Sequence, residues 1–220
     1  MGVSRGTARR STRLAIVVTL VAVGAVAAGA ALALAAPARA MAQARPASPA
    51  AVPPASRERG VAFLLSRQDA SGGFSEPGEH PTPGLTAWAA IALVAAGRVP
   101  AGAGEYLQAH EGELVSATDL ELALLAVGAL GLPGAALSER VRALSGPSGE
   151  IGSALNSTFW GVIALRAVGE PAPPGALAAI RRSQARSGGW SWTLGGRPDA
   201  DDTAAAVLAT ESSADSSSSG

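Results

Sequence analysis

Between residues 86 and 210 the chain returns four times to one pattern, a polar start rising into an Ala/Leu/Val run. The first three runs, Thr86–Gly97, Thr118–Gly128 and Thr158–Gly169, stop at glycine, and the fourth opens at Thr203 and breaks off into Thr210-Glu211-Ser212. Strong helix formers, a Thr or nearby polar residue suited to an N-cap, and a Gly suited to the left-handed residue after a helix predict an α-helix for each. Pro100, Pro133 and Pro171 follow the three stops, where a helix has to have ended. A more polar helix is predicted ahead of each run, over Glu58–Arg67, Glu105–His110, Ser138–Leu144 and Gly175–Gln184. In the first of these, Val61, Leu64, Leu65 and Gln68 share one face while Arg57, Arg59 and Arg67 lie elsewhere. No β-strand pattern competes in this region. The unit is thus a polar helix, a Gly-containing turn and an apolar helix, with successive Thr positions 32, 40 and 45 residues apart. One such hairpin cannot bury its apolar face alone, whereas stacking on the next one can. The expected fold is all-α, with about four helical hairpins over residues 57–210.

The chain before this array is of another kind. Arg5, Arg9, Arg10 and Arg13 form a basic start with no acid before Glu58, and Leu14 to Ala36 runs for 23 residues without a charge. Small-x-small sites follow at Ala38-Arg39-Ala40 and Ala40-Met41-Ala42. Residues 1–40 therefore read as a secretory signal peptide. The apolar run also reaches the ~20 residues that span a bilayer, so an uncleaved membrane anchor is the rival reading. Either way the array is expected outside the cytoplasm, secreted or held on the outer face of the membrane. Residues 41–56, with Pro46, Pro49, Pro53 and Pro54 among Ala and Ser, read as a linker, and the Ser-rich residues 211–220 as a disordered tail.

The turns between paired helices carry the sharpest motif. The first reads Arg59-Gly-Val-Ala-Phe63-Leu64-Leu-Ser-Arg-Gln68-Asp-Ala-Ser-Gly72-Gly73-Phe74, and the last Ala179-Ile180-Arg-Arg-Ser-Gln184-Ala-Arg-Ser-Gly188-Gly189-Trp190. This resembles the glutamine–tryptophan repeat of squalene and terpene cyclases. The first copy matches throughout, with Phe74 for the final Trp, and the last keeps Gln184, Gly188 and Trp190. The middle copies, around Glu111–Leu114 and Gly149–Gly152, have lost the Gln. A Gln amide can tie helix ends together, the Gly pair permits a tight turn, and the aromatic packs onto the next repeat. The resemblance implies an α/α toroid of paired helices. It also implies more hairpins than the four seen here, hence an incomplete ring, a truncated or degenerate array, or one completed by self-association.

A second resemblance lies in Gly188-Gly-Trp190-Ser-Trp192-Thr-Leu-Gly-Gly-Arg-Pro198-Asp199-Ala-Asp201-Asp202-Thr203-Ala204. It is similar to the Asp-x-Asp-Asp-Thr-Ala motif of squalene–hopene and other class II terpene cyclases, in which the middle Asp protonates an alkene or epoxide. Carried over, that acid is Asp201, with Asp199 and Asp202 beside it. A carboxyl kept protonated by burial and adjacent negative charge can serve as such a donor. The residues alone also admit a plainer role. The three acids sit just before a predicted helix, where one can cap free N–H groups and the others suit the helix dipole.

Composition narrows the field further. The chain has no cysteine, which excludes a disulfide framework, a thiol nucleophile and any Cys-based zinc or iron–sulfur site. It also removes the protein prenyltransferases, which share the toroid fold but hold zinc partly through Cys. All 17 basic residues are arginine, so no lysine can form a Schiff base or contact phosphate in a Walker-type loop. His80 and His110 cannot alone supply a His-rich metal site; His80 reads as loop and His110 as a surface residue at a helix end. No metal and no cofactor are expected. The net charge of zero gives no basic face for nucleic acid, and it conceals an asymmetry. Beyond residue 40 there are 12 arginines against 17 acids, so the exported part is acidic.

Three functions follow from these residues. The first is an exported repeat protein that binds rather than catalyses, its ligand a hydrophobic, polyprenoid-like small molecule or a cell-surface partner. Trp88, Trp160, Trp190 and Trp192 are the candidate lining of its cavity, with packing in the repeat core as the alternative. The second is a class II cyclase-like enzyme using Asp201 as general acid. It is opposed by the scarcity of aromatics, only 4% of the chain, because carbocations are guided by aromatic faces. The third is a structural spacer, which predicts no saturable binding of small molecules.

Overall fold

The computed structural model describes residues 54–211, and all regular structure among them is helical. Eight α-helices follow in chain order: α1 (Pro54–Leu65), α2 (Pro83–Ala95), α3 (Ala103–Ala109), α4 (Ala117–Ala129), α5 (Ala135–Ala143), α6 (Leu155–Ala167), α7 (Ala176–Arg182) and α8 (Ala200–Thr210), with a 3-10 turn at Glu111–Glu113. The 23-residue apolar run, the linker up to residue 53 and the serine tail from residue 212 lie outside the described residues. No helix among the described residues is long and apolar enough to cross a membrane.

The long apolar helices α2, α4, α6 and α8 form a row, each packed on the next, and the shorter polar helices sit against that row. The row is parallel. Asn156 at the start of α6 donates to Asp202 at the start of α8, while Arg166 at the end of α6 donates to the Leu208 carbonyl at the end of α8. Val94, Ala129 and Ala167, from the last turns of α2, α4 and α6, pack in one cluster. The main core runs along the row, with Leu93, Leu107, Leu124, Leu137, Phe159 and Ile180 fully buried. The predicted hydrophobic runs therefore do form the most buried helices, as their near-uniform apolarity requires.

The helix starts differ from expectation in an informative way. The recurring threonines do not cap helices. Thr86, Thr158 and Thr203 stand at the fourth residue of α2, α6 and α8, and their hydroxyls accept the backbone N–H of Phe74, Ile151 and Trp190. Each thus ties an apolar helix to the turn before it. Where the side chain does cap, the residue lies further upstream: Thr82 for α2, Ser116 with Asp119 in a capping box for α4, and Asp199 for α8. On this register the equivalent of Thr86 is Leu120 rather than Thr118, because Thr118 lies two residues too early. The glycine stops need one correction as well. Helix α4 runs through Gly128, where a side chain would strike the Ala167 carbonyl of α6, and Gly131 takes the left-handed position that Gly97 and Gly169 take after α2 and α6.

The Gln motif has a physical function in the first copy. The Gln68 amide donates to Gly72 O at 3.0 Å within its own turn and to Ala101 O at 2.7 Å ahead of α3. Gln184 closes its own turn at 2.8 Å and, among the described residues, makes no bond onward. Gln68→Ala is therefore expected to lower stability by ~1–3 kcal/mol and Gln184→Ala by well under ~1 kcal/mol, read as midpoints of urea unfolding.

Candidate functional site

The parallel register brings one face of all four long helices onto a single cavity of about 640 Å³. The lining repeats with helical spacing. The second helical residue supplies Thr118, Asn156 and Asp201; the sixth supplies Trp88, Leu122 and Trp160; the ninth supplies Ile91, Leu125, Ile163 and Leu208. Trp192, in the loop before α8, and Asp199, the α8 cap, complete one side. Positions two, six and nine fall on one helix face, so a cavity lined by them follows once the helices align. Because all four helices run the same way, the cavity is graded. Its polar residues gather at the helix starts and its aliphatic ones a turn or two further in.

Three of the four tryptophans singled out from the sequence border this cavity. Trp88 and Trp192 stand at its rim, 62% and 57% exposed, so one side is open to water, while Trp160 is partly buried. Trp190 does not border it. Its ring is buried and its Nε1 donates to Ile180 O at 2.7 Å, which makes it a core residue of the last turn. His80 is exposed in its loop, and His110 ends α3, stacked on Tyr106 with ring centroids 4.0 Å apart.

The acidic trio divides into three roles. Asp199 is exposed and caps α8, accepting the Asp202 N–H at 2.8 Å. Asp202 is buried and accepts the Asn156 amide. Burial pushes its carboxyl above the ordinary value; the Asn156 hydrogen bond pulls it back, and Asp199 and Asp201 add to the rise. Asp201 is exposed and borders the cavity. The capping expectation is thus realised by one acid of the three, while the acid that the cyclase motif makes the proton donor faces water.

The residue that sequence reasoning missed is Glu121. It is only 3% exposed, it borders the cavity, and its Oε1 has no hydrogen-bond partner. Burial alone pushes its carboxyl up to about 8, so it is largely uncharged at neutral pH. The fifth residue of the other long helices is Ala87, Phe159 and Ala204, so Glu121 replaces an apolar residue at a helix–helix position. Aligning the repeats by their turns instead of their threonines would have exposed this. Inside Asp119-Leu120-Glu121-Leu122 the acid otherwise reads as one more polar residue near a helix start.

Compared with known proteins, the chain matches no family model and no curated protein.

Proposed function

We propose that this is an exported α/α-toroid-type repeat protein, an incomplete ring of about four helical hairpins, that binds an elongated apolar ligand of polyprenoid type along its row of parallel helices. The observation that carries the reading is the apolar cavity of about 640 Å³ bordered by Trp88, Trp160 and Trp192 and by one aliphatic residue from each long helix. Its size lies in the usual range for small-molecule sites, and its lining is mostly hydrophobic with a few polar groups at one end. The recurring turns and the threonine ties support the toroid assignment. The basic, apolar and small-residue order of residues 1–40 supports export.

Geranylgeraniol added to the protein from Ser56 onward is expected to give a saturable blue shift of tryptophan emission, as Trp88 and Trp192 lose water. Trp160→Ala is expected to weaken binding by ~1–3 kcal/mol, the scale on which buried aromatic anchors act. A response that never saturates, or one indifferent to Trp160→Ala, would overturn the reading.

A class II cyclase-like activity is favoured by one observation, that Asp201 borders the same apolar cavity. Against it stand the exposure of Asp201 and the open rim, since water reaching a carbocation would end its rearrangement. Cyclic products from squalene that vanish in Asp201→Asn would decide for the enzyme.

A further inference from the structure

Two carboxyl groups at the polar end of the cavity have no hydrogen-bond partner among the described residues. Asp199 is engaged as a cap and Asp202 by Asn156, but Asp201 makes no hydrogen bond or ion pair among the described residues, and Glu121 is buried with a free oxygen. The positive start of α8 accounts for Asp201 as a helix-favouring acid. It does not account for Glu121, which lies beyond the first turn of α4. A buried polar atom left unpaired is costly to the fold, and a bound ligand that pairs with it recovers that cost.

The surroundings define what that ligand carries. The cavity is bordered by four acids, three tryptophans and no basic residue. Tryptophan faces attract ammonium groups, most of all where water is excluded, and carboxylates on the same wall add to that attraction. An anionic head would meet four acids with no counter-charge. A neutral chain would leave Glu121 unpaired. We infer that the cavity takes an alkylammonium amphiphile, its cationic nitrogen held between the tryptophan faces and Glu121 and its apolar chain lying along Ile91, Leu125, Ile163 and Leu208. The inference rests on the reading of this cavity as an apolar ligand site and names the head group.

Charged neighbours do not supply an internal partner for Glu121. Helix α2 carries no titratable residue, and α6 carries only Arg166, at its far end, bonded to the Leu208 and Ala209 carbonyls. On α4 itself Asp119 is held in the capping box. Glu105 of α3 and Glu139, Arg140 and Arg142 of α5 do not border the cavity; Arg140 is bonded to the Glu111 and Leu114 carbonyls and Arg142 paired with Glu139 and Glu170. The carboxylates facing it across the cavity are those of Asp199, Asp201 and Asp202.

A cation seated on Glu121 favours the ionised carboxyl, so binding at neutral pH drives the Glu121 proton off to the buffer. Decyltrimethylammonium, which has no titratable group, is the probe, compared below its micellar concentration with decanol and decanoate by calorimetry. The cation is expected to bind at least about tenfold tighter than decanol, with decanoate weakest. Paired buffers of different ionisation enthalpy at pH 7 should report release of close to one proton per cation bound. Affinity should rise as pH approaches 8 and level off above it. Glu121→Gln, once a sharp thermal transition has confirmed its fold, should lose the proton release and most of the preference. Equal binding of decanol and the cation, or an unchanged preference in Glu121→Gln, overturns this inference and leaves an apolar ligand site standing. Failure of the alkyl compounds and of geranylgeraniol alike overturns both.

Discussion

Glu121→Gln is expected to raise stability by about 5 kcal/mol at pH 9 and to change it by no more than about 1 kcal/mol at pH 4. The ordinary glutamate value is 4.5, and burial pushes Glu121 up to about 8 in the folded protein. Below 4.5 the carboxyl is neutral in both folded and unfolded chains and adds nothing. Between 4.5 and 8 the unfolded chain has released a proton that the folded one keeps, so the native state loses stability steadily as pH rises. Above 8 both are ionised and the loss is complete. The whole difference is the cost of burying this charge without a partner, and a neutral amide of the same shape removes it. Thermal melts from pH 4 to 9 would therefore diverge upward for the variant, by about 10–20 °C at the alkaline end for a domain of this size. Parallel curves would mean that water or a side-chain shift already pairs the carboxylate. A residue that weakens its own fold in the neutral range and borders a cavity fits the broader pattern in which strained ionisable groups mark functional sites.

How much of this was legible beforehand depends on which signal carried it. The apolar helices were legible because their burial on most sides makes them long runs of Ala, Leu and Val. Their starts were misjudged by up to one turn because Thr is both a frequent cap and a frequent buried hydroxyl. In Thr86, Thr158 and Thr203 the second use prevails, and it depends on a turn up to 13 residues upstream. Trp88 and Trp160 were legible as cavity residues only as tryptophans. Their shared sixth position in α2 and α6, which makes the lining a repeat, needed the helix starts. Trp190 and Trp192 lie two residues apart and could not be separated by sequence. One ring enters the core and the other reaches the rim because the chain pairs with Asp199 only at Trp190 and bends at Trp192, where extended alternation no longer holds. Asp201 and Asp202 divide for another reason, since neighbours on a helix stand about 100° apart and only one of them turns inward on α8. Glu121 was illegible for a different reason, since its significance lies in the missing partner, and an absent partner has no sequence signature.

The turn glycines supply a second large effect with a built-in control. Gly72, Gly149 and Gly188 occupy the same place in the first, third and fourth turns, with φ of +87°, +94° and +90°. The hydrogen bonding is equivalent: Asp69 N–H to Gly73 O, Gly146 N–H to Glu150 O and Ala185 N–H to Gly189 O. Their neighbourhoods differ. A side chain on Gly72 would land on the backbone carbonyl of Gly102, and one on Gly149 on that of Gly175, at the starts of α3 and α7, whereas Gly188 has open space. Alanine at Gly188 should then cost only the strain of a left-handed residue, about 1–2 kcal/mol. Alanine at Gly149 adds a collision with backbone that cannot rotate away, for a total of about 3–5 kcal/mol. In melting temperature that is roughly 3–6 °C against 8–15 °C for a domain of this length. Equal losses at the two sites would show that the turn does not rest on the following helix. Unequal losses would show that successive units are held by backbone contact, and that the last turn presents the same surface with nothing among the described residues seated on it.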